Sequence, residues 1–229
     1  MKILALECSA GPASSAVAEN GIIIASDFTN VKMTHSQTLM PMVKSMLDKA
    51  DLEMRDIDAL AISNGPGSFT GIRIGISAIK GLAAPRKIPC YAVSTLRTIA
   101  ENFRNTDCIV CAVMDARCNQ VYNALFKVSD KVITRLCDDR ALMIDELLQE
   151  LSSIQDNIII VGDGAGLFEK YAGGNITVAD EQRRYQTASG VALAALEYES
   201  VEADKLMPFY LRLPQAEREL KKKQGEINL

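Results

Sequence analysis

The chain has a single histidine, His35, among its 229 residues. A zinc hydrolase draws on several histidines or an equivalent ligand set, so a metallopeptidase reading has too few donors. A Ser-His-acid mechanism has only His35 as its base, and no G-x-S-x-G elbow occurs. His35 falls at the start of a helix, where an exposed or capping role is the default. No GxxxxGK[ST] phosphate loop occurs either. Apolar runs such as Ile158–Val161 fall far short of the roughly 20 residues a membrane span needs. The opening MKILALECS lacks a long apolar core and a cleavage site, so it reads as a first buried strand and not as a signal peptide. Excess positive charge is missing as well. A net charge of -4 argues against a free-standing nucleic-acid binder, so an RNA role would need another subunit to supply the positive field.

What is present fits an ordinary globular chain, long enough for one large domain or two small ones. Six cysteines stand at 8, 90, 108, 111, 118 and 137. Cys108-Ile-Val-Cys111 has CxxC spacing. A zinc site would want a second pair or histidines, so these thiols read as small buried hydrophobes of a reducing compartment.

The first half alternates strand and helix. Lys2–Ser9, Ser14–Ala18 and Gly21–Ser26 read as strands, with an Asn-Gly hairpin signal at Asn20-Gly21. Thr34 followed by Gln37 fits a capping box for the next helix. On that helix Leu39, Met40, Met42, Val43, Met46, Leu47 and Ala50 cover an arc of roughly 160°, against about 100° for one core-facing stripe. The arc suits deep burial in its own domain or, equally, an edge that meets a second protein. Strand Ala59–Ser63, helix Thr70–Ala84 ended by Pro85, strand Cys90–Ser94 and helix Thr95–Phe103 follow. The polar run Arg104–Asp107 marks a boundary, and the pattern then restarts. Strands are expected at Cys108–Asp115, Asn119–Val128, Val132–Leu136, Ile158–Val161 and Ile176–Ala179. Helices are expected at Ile144–Leu151, Leu167–Tyr171 and Thr187–Glu199. Two β-β-β-α-β-α units suggest a duplicated architecture, with lobes at 1–104 and 105–205 and an extended segment and charged tail at 206–229. The tail Glu217–Lys223 has a local excess of two positive charges. It reads as a solvated terminus, with nucleic-acid phosphate as the sharper alternative.

The loop Asn64-Gly65-Pro66-Gly67-Ser68 joins a strand to a helix. On pattern alone it is as much a tight turn as an anion site. Ser68 or Thr70 can cap the helix. In that helix Ile72, Ile76 and Ile79 share a core-facing side, and Arg73, Ser77 and Lys80 a polar one. Gly71, Gly75, Ala78 and Leu82 form a ridge of mostly small residues. Glycine within a helix costs up to ~1 kcal/mol relative to alanine, so the ridge asks for a closely approaching neighbour. That neighbour is either the preceding helix or a helix of a partner.

Six segments carry a resemblance to the bacterial TsaB family, also called YeaZ: LECS at 6–9, THSQTLMP at 34–41, SNGPGSFTGIRIGISAIKGLA at 63–83, MDARCNQVY at 114–122, VGDGA at 161–165 and PFYLR at 208–212. The resemblance implies an α/β, actin-like ATPase fold of the sugar kinase/Hsp70 type, with two similar lobes. It implies a cytoplasmic accessory role in making N6-threonylcarbamoyladenosine, next to the anticodon of tRNAs that read codons beginning with adenine. The threonylcarbamoyl group would be transferred by a metal-binding homologue, TsaD. A small ATPase, TsaE, would assist. The chain itself would be non-catalytic, would reach tRNA through the complex, and would pair through its N-terminal lobe, with TsaD or with a second copy when alone. The expected partner face comprises His35, Leu39, Met42 and Met46 on one helix and Gly71, Arg73, Gly75 and Ala78 on the next. Glu7, Ser9, Gly162 and Gly164 are candidate remnants of a nucleotide site. Where the family usually has Asp this chain has Glu7, whose extra methylene would displace a metal-directed carboxylate. ATP or ADP is therefore expected to bind weakly or only in the complex, and no cofactor tightly. The alternative is an ATP-dependent phosphotransferase built on Glu7, Ser9, Asp115 and the Gly162–Gly166 loop. Each of those also suits a plain turn or a strand end, and the parts of a phosphoryl-transfer site do not fall in a recognisable order.

Overall fold

The computed structural model describes residues 1–31 and 33–212. The chain opens with three antiparallel strands, β1 (Lys2–Glu7), β2 (Ala13–Glu19) and β3 (Ile22–Thr29). Asn20 and Gly21 make the β2–β3 turn with φ of 51° and 80°, the left-handed pair a tight hairpin needs. Helix α1 (His35–Lys49), β4 (Ala59–Gly65), α2 (Phe69–Ala83), β5 (Cys90–Ser94) and α3 (Thr95–Ala100) follow. The second unit has β6 (Cys108–Asp115), β7 (Gln120–Ser129), β8 (Val132–Arg135), β9 (Arg140–Met143), α4 (Ile144–Leu151), β10 (Ile158–Val161) and a 3-10 segment at Ala165–Tyr171. It continues with β11 (Ile176–Val178), α5 (Glu181–Arg184), α6 (Ala188–Ala194) and β12 (Ser200–Val201).

The duplication is explicit in the sheets. The first runs β12-β5-β4-β1-β2-β3 and the second β11-β10-β6-β7-β8, so β5-β4-β1-β2-β3 and β11-β10-β6-β7-β8 are equivalent paths. In each, the first three strands are antiparallel and the two added by crossovers are parallel. Helices α1 and α2 cover one face of the first sheet through Leu39, Val43, Ile72 and Ile79. Helix α6 covers the other face. Helix α3 lies on the inner face of the second sheet, and α4 with the 3-10 segment on its outer face.

Three expectations change. Residues 105–205 do not all belong to the second lobe: α6 packs on β1 to β4 and β12 pairs with β5, while α3 crosses onto β6 and β7. Apolar faces decide this, because α6 is alanine-rich and fits the small Ala5, Ala16, Ala59 and Ala61 surface of the first sheet. The Thr34–Gln37 capping box does not form. Thr34 is the N-cap of α1, but its side chain makes no capping bond. Strand β9 and helix α5 are both too short, at four residues each, for a periodic signal. Elsewhere Ser68 and Ser94 cap α2 and α3 as their positions suggest, through Gly71 N and Arg97 N, both at 3.2 Å. The tail Glu217–Lys223 and Leu213 lie outside the described residues.

Cys108 and Cys111 fall on opposite faces of β6, one in the core around Phe126 and the other in the core around Phe168. They cannot share a metal. Burial pushes the Cys108 thiol up to about 11, and the Cys111 thiol upward as well.

Candidate functional site

Two regions collect the expected site residues: the cleft between the lobes and the outer face of α1 and α2. The glycine loop after β4 builds one wall of the cleft. Gly67 has φ of +153°, and a Cβ there would overlap the Ser9 carbonyl oxygen. The amide of Ser68 donates to that same oxygen at 2.7 Å. The loop is thereby clamped on the β1–β2 turn, and the N-terminus of α2 opens into a cavity of about 470 Å³. Ser9, Gly11 and Ser68 line it from the first lobe, and Asp115, Arg117 and Asp163 from the second. A somewhat larger hollow of about 550 Å³ lies at the β5–β12 edge beside Lys87 and Glu202, away from every expected site residue.

The second-lobe wall is acidic. Asp115 accepts from the Arg117 amide at 2.7 Å and from its guanidinium at 3.3 Å. Gly162 and Gly164 press the β10 turn onto the end of β6: a Cβ on the first would overlap the Val113 carbonyl oxygen, and one on the second would stand 2.9 Å from the Asp115 amide. This seats Asp163 beside Asp115. Burial first, and then the Asp115 charge, push the Asp163 carboxyl up to about 7. One of its oxygens is buried without a hydrogen-bond partner among the described residues.

The sign of the pH effect follows. Between about 4 and 7 the unfolded chain releases the Asp163 proton and the folded chain keeps it, so stability falls as pH rises through that window and levels off above 7. Asp163→Asn should therefore be more stable than the parent at pH 8, by about 1–3 kcal/mol, and show no gain at pH 4. Urea melts at the two pH values check this; an equal gain at both would mean the carboxyl is not the source.

Glu7 is buried and does not line the cavity. Its Oε1 accepts from the Ser9 amide at 2.6 Å, while its other oxygen has no partner among the described residues. Burial raises its pKa, against hydrogen bonds from Ser63 and Ser9. The Ser9 hydroxyl meets Gln186 Nε2 at 3.4 Å. Of the four candidate nucleotide remnants, Ser9 lines the cavity, Glu7 braces the backbone beneath it, and the two glycines shape the opposite wall.

The outer face of the first lobe differs from expectation. Leu39, Met42 and Met46 are 1%, 8% and 2% exposed and belong to the lobe's own core. His35 points inward, its Nε2 2.8 Å from the Ala10 carbonyl oxygen. The glycine ridge also faces home. A Cβ on Gly71 would overlap the Cys8 carbonyl oxygen, and one on Gly75 would meet Cys8 Sγ at 2.7 Å and Ile62 Cδ1 at 2.8 Å. The close neighbour that the ridge asks for is thus the chain just after β1, at Cys8, together with β4, at Ile62. Of the expected face, Arg73 is exposed and Ala78 half-buried. The exposed surface of the two helices includes instead Gln37, Met40, Pro41 and Lys44 with Thr70, Arg73 and Ser77.

Two features were missed by residue-level reasoning. Arg117, Cys118 and Asn119 are all left-handed, with φ of 66°, 55° and 58°. Such turns cost non-glycine residues about 1–2 kcal/mol each, and only the Asn is a signal for one. The other is the segment Met207–Arg212, which crosses the mouth of the glycine loop. Phe209 N donates to Asn64 O at 2.8 Å, Tyr210 stacks on Phe69 at 4.4 Å, and Arg73 Nε donates to the Tyr210 hydroxyl at 2.8 Å.

Two duplicated mixed-sheet lobes with a cleft between them define the class, the actin-like ATPase fold. The model of the family TsaD, tRNA N6-adenosine threonylcarbamoyltransferase, matches residues 23–217. The chain is 31% identical over 221 residues to the tRNA threonylcarbamoyladenosine biosynthesis protein TsaB of Bacillus subtilis (strain 168), covering 95% of this chain and 96% of that one. It is 34% identical over 167 residues to the protein of the same name from Escherichia coli (strain K12), with 72% of each covered. It is similar in structure to YeaZ from Pseudomonas aeruginosa, with a TM-score of 0.78 and 27% identity over 92% of this chain and 99% of that one. The chain belongs to the TsaB (YeaZ) family.

Proposed function

We propose that this chain is the non-catalytic accessory subunit for transfer of the threonylcarbamoyl group to N6 of adenosine in tRNA. One observation carries the reading: the match to a protein named for threonylcarbamoyladenosine biosynthesis spans 95% of the chain. The single histidine fits it. The transfer chemistry then belongs to a TsaD-type partner, whose family model covers most of this chain and marks the two as homologous. The same reading places the complex in the cytoplasm, with a TsaE-type ATPase and with tRNA reached through the partners. No described helix is long and apolar enough to cross a membrane.

Docking is proposed at the exposed surface of α1 and α2 around Met40 and Ser77. A nucleotide in the cleft would be held weakly, because Arg117 is tied to Asp115 on the wall opposite the α2 N-terminus, Asp163 adds negative charge there above about pH 7, and Glu7 is committed to the Ser9 backbone. The test is a nucleoside-modification assay with the TsaD- and TsaE-type proteins of the same source. The chain alone should give no modified adenosine, and omitting it should abolish or strongly reduce product formation. Transfer by the lone chain would overturn the reading. Tight, Mg²⁺-dependent ATP binding that is lost in Glu7→Ala would instead favour the phosphotransferase alternative.

A further inference from the structure

The lobes are joined very differently at the two sides of the cleft. On one side α3 and α6 lie back to back between the sheets. Gly190 lets them touch, since a Cβ there would stand 2.7 Å from the Thr98 carbonyl oxygen. Around them Arg97 is buried between Glu101 at 2.8 Å and Glu197 at 2.9 Å. Ser94 donates to Asp139 at 2.6 Å, and Asn102 to the carbonyls of Arg183 and Tyr185 at 2.8 Å each. Breaking a buried, doubly paired guanidinium of this kind is costly, so this side is a fixed joint.

On the other side the segment Leu206–Arg212 crosses between the lobes, with Ala10 of the β1–β2 turn also packed on the second-lobe core. Leu206 is anchored in the first-lobe core with Leu4 and Ile79. The chain then runs across the glycine loop and α2 through Phe209 and Tyr210. Leu211 reaches the second-lobe core around Met114 and Tyr122, and Arg212 Nη1 donates to the Ala116 carbonyl oxygen at 2.9 Å. Its neighbours include Gly67, Phe69 and Tyr122, which line the cleft cavity, so the segment backs that part of the cavity wall. We infer that Leu206–Arg212 is an interlobe latch, which holds the cleft closed opposite the α3–α6 joint and releases by undocking its Leu211–Arg212 end.

The physical case is one of unequal strength. The first-lobe end is pinned by a buried leucine, two backbone-directed bonds to Asn64 and an aromatic stack. The second-lobe end has a half-buried leucine where the first has a buried one, and the contacts of Arg212 there include the Ala116 carbonyl, next to a left-handed turn. Undocking therefore starts at Arg212. It would carry Asp115 and Asp163 away from Ser9 and the α2 N-terminus, and so change what the cleft can hold.

Spin labels report this directly. Cys118 is exposed at the second-lobe rim, and Gln37→Cys gives an exposed site on α1. Double electron–electron resonance on the full chain labelled at both should give one narrow distance for the parent. In Arg212→Ala a second, longer distance should appear, with the open fraction raised at least about fivefold, as expected for loss of the bond to Ala116 alone. Arg212→Lys, which keeps a donor, should recover part of the closed population. Tyr210→Phe, which loses only the hydroxyl held by Arg73, should give a smaller rise. Far-ultraviolet circular dichroism confirms folding of each variant. Distance distributions unchanged from the parent in both Arg212→Ala and Tyr210→Phe, with the proteins folded, would overturn the latch.

Discussion

Gly75→Arg is expected to unfold the first lobe and not merely to weaken an interface. At this position even a methyl group would meet Cys8 Sγ at 2.7 Å and Ile62 Cδ1 at 2.8 Å. Cys8 follows β1 and Ile62 lies on β4, the two parallel central strands of the first sheet, so neither can move without disturbing strand pairing. An arginine must also leave its charge among Leu6, Ile72 and Ile76 or push α2 off the sheet. Overpacking and charge burial together should cost about 5 kcal/mol or more. For a chain of this size that is a fall of roughly 10–20 °C in melting temperature, or failure to accumulate as folded protein. Gly71→Ala should follow the same course to a smaller degree, since its Cβ would overlap a backbone carbonyl that has no rotamer to escape into. Gly81→Ala is the control. Nothing lies within 4 Å of its Cβ, and α2 should gain up to ~1 kcal/mol. Thermal melts followed by circular dichroism decide the matter; a Gly75→Arg protein that melts with the parent would return the ridge to the partner surface.

The fate of this ridge shows what the sequence could and could not reveal. That small residues on α2 require a close neighbour follows from helix geometry, and the neighbour exists. Its identity does not follow, because a strand of the same chain and a helix of another present the same demand. Three of the four residues expected on the partner face of α1 are buried for a related reason. Leu39, Met42 and Met46 belong to an arc wide enough for two surfaces, yet the sheet beneath takes up nearly all of it and leaves Met40, 40% exposed, as the apolar remainder. The duplicated strand order was legible because alternation restarts after the polar Arg104–Asp107 run and the strands keep their apolar runs. The crossing of α3 and α6 between lobes was not, since both are short helices whose sheet is chosen by surface shape. The latch was visible only as the string PFYLR. Extended segments without alternation carry no local signal of what they cross, and its role rests on long-range contacts such as Arg212 to Ala116.

A charge placed on the outer surface of α2 should separate pairing from folding. Ser77 is exposed and lies one helical turn beyond Arg73, at the centre of the face that remains once the ridge is assigned inward. Ser77→Arg should fold with a melting temperature within a few degrees of the parent, because a surface substitution away from buried features rarely changes stability by more than ~0.5 kcal/mol. Its affinity for the TsaD-type partner should fall by at least about 100-fold, the loss expected when an uncompensated charge enters the core of an interface. Met40→Asp on α1 should act alike, since the apolar side chain it removes is the exposed remainder of the helix's arc. Val132→Asp, on the exposed edge strand of the second lobe, should leave pairing unchanged. Titration calorimetry against the partner, with size-exclusion chromatography of each mixture, gives the readout. If Ser77→Arg and Met40→Asp both bind as the parent does while Val132→Asp does not, the second lobe is the docking surface. Loss of binding in the α1 and α2 variants should also abolish modified adenosine in the reconstituted reaction, because an accessory subunit can act only where it is docked.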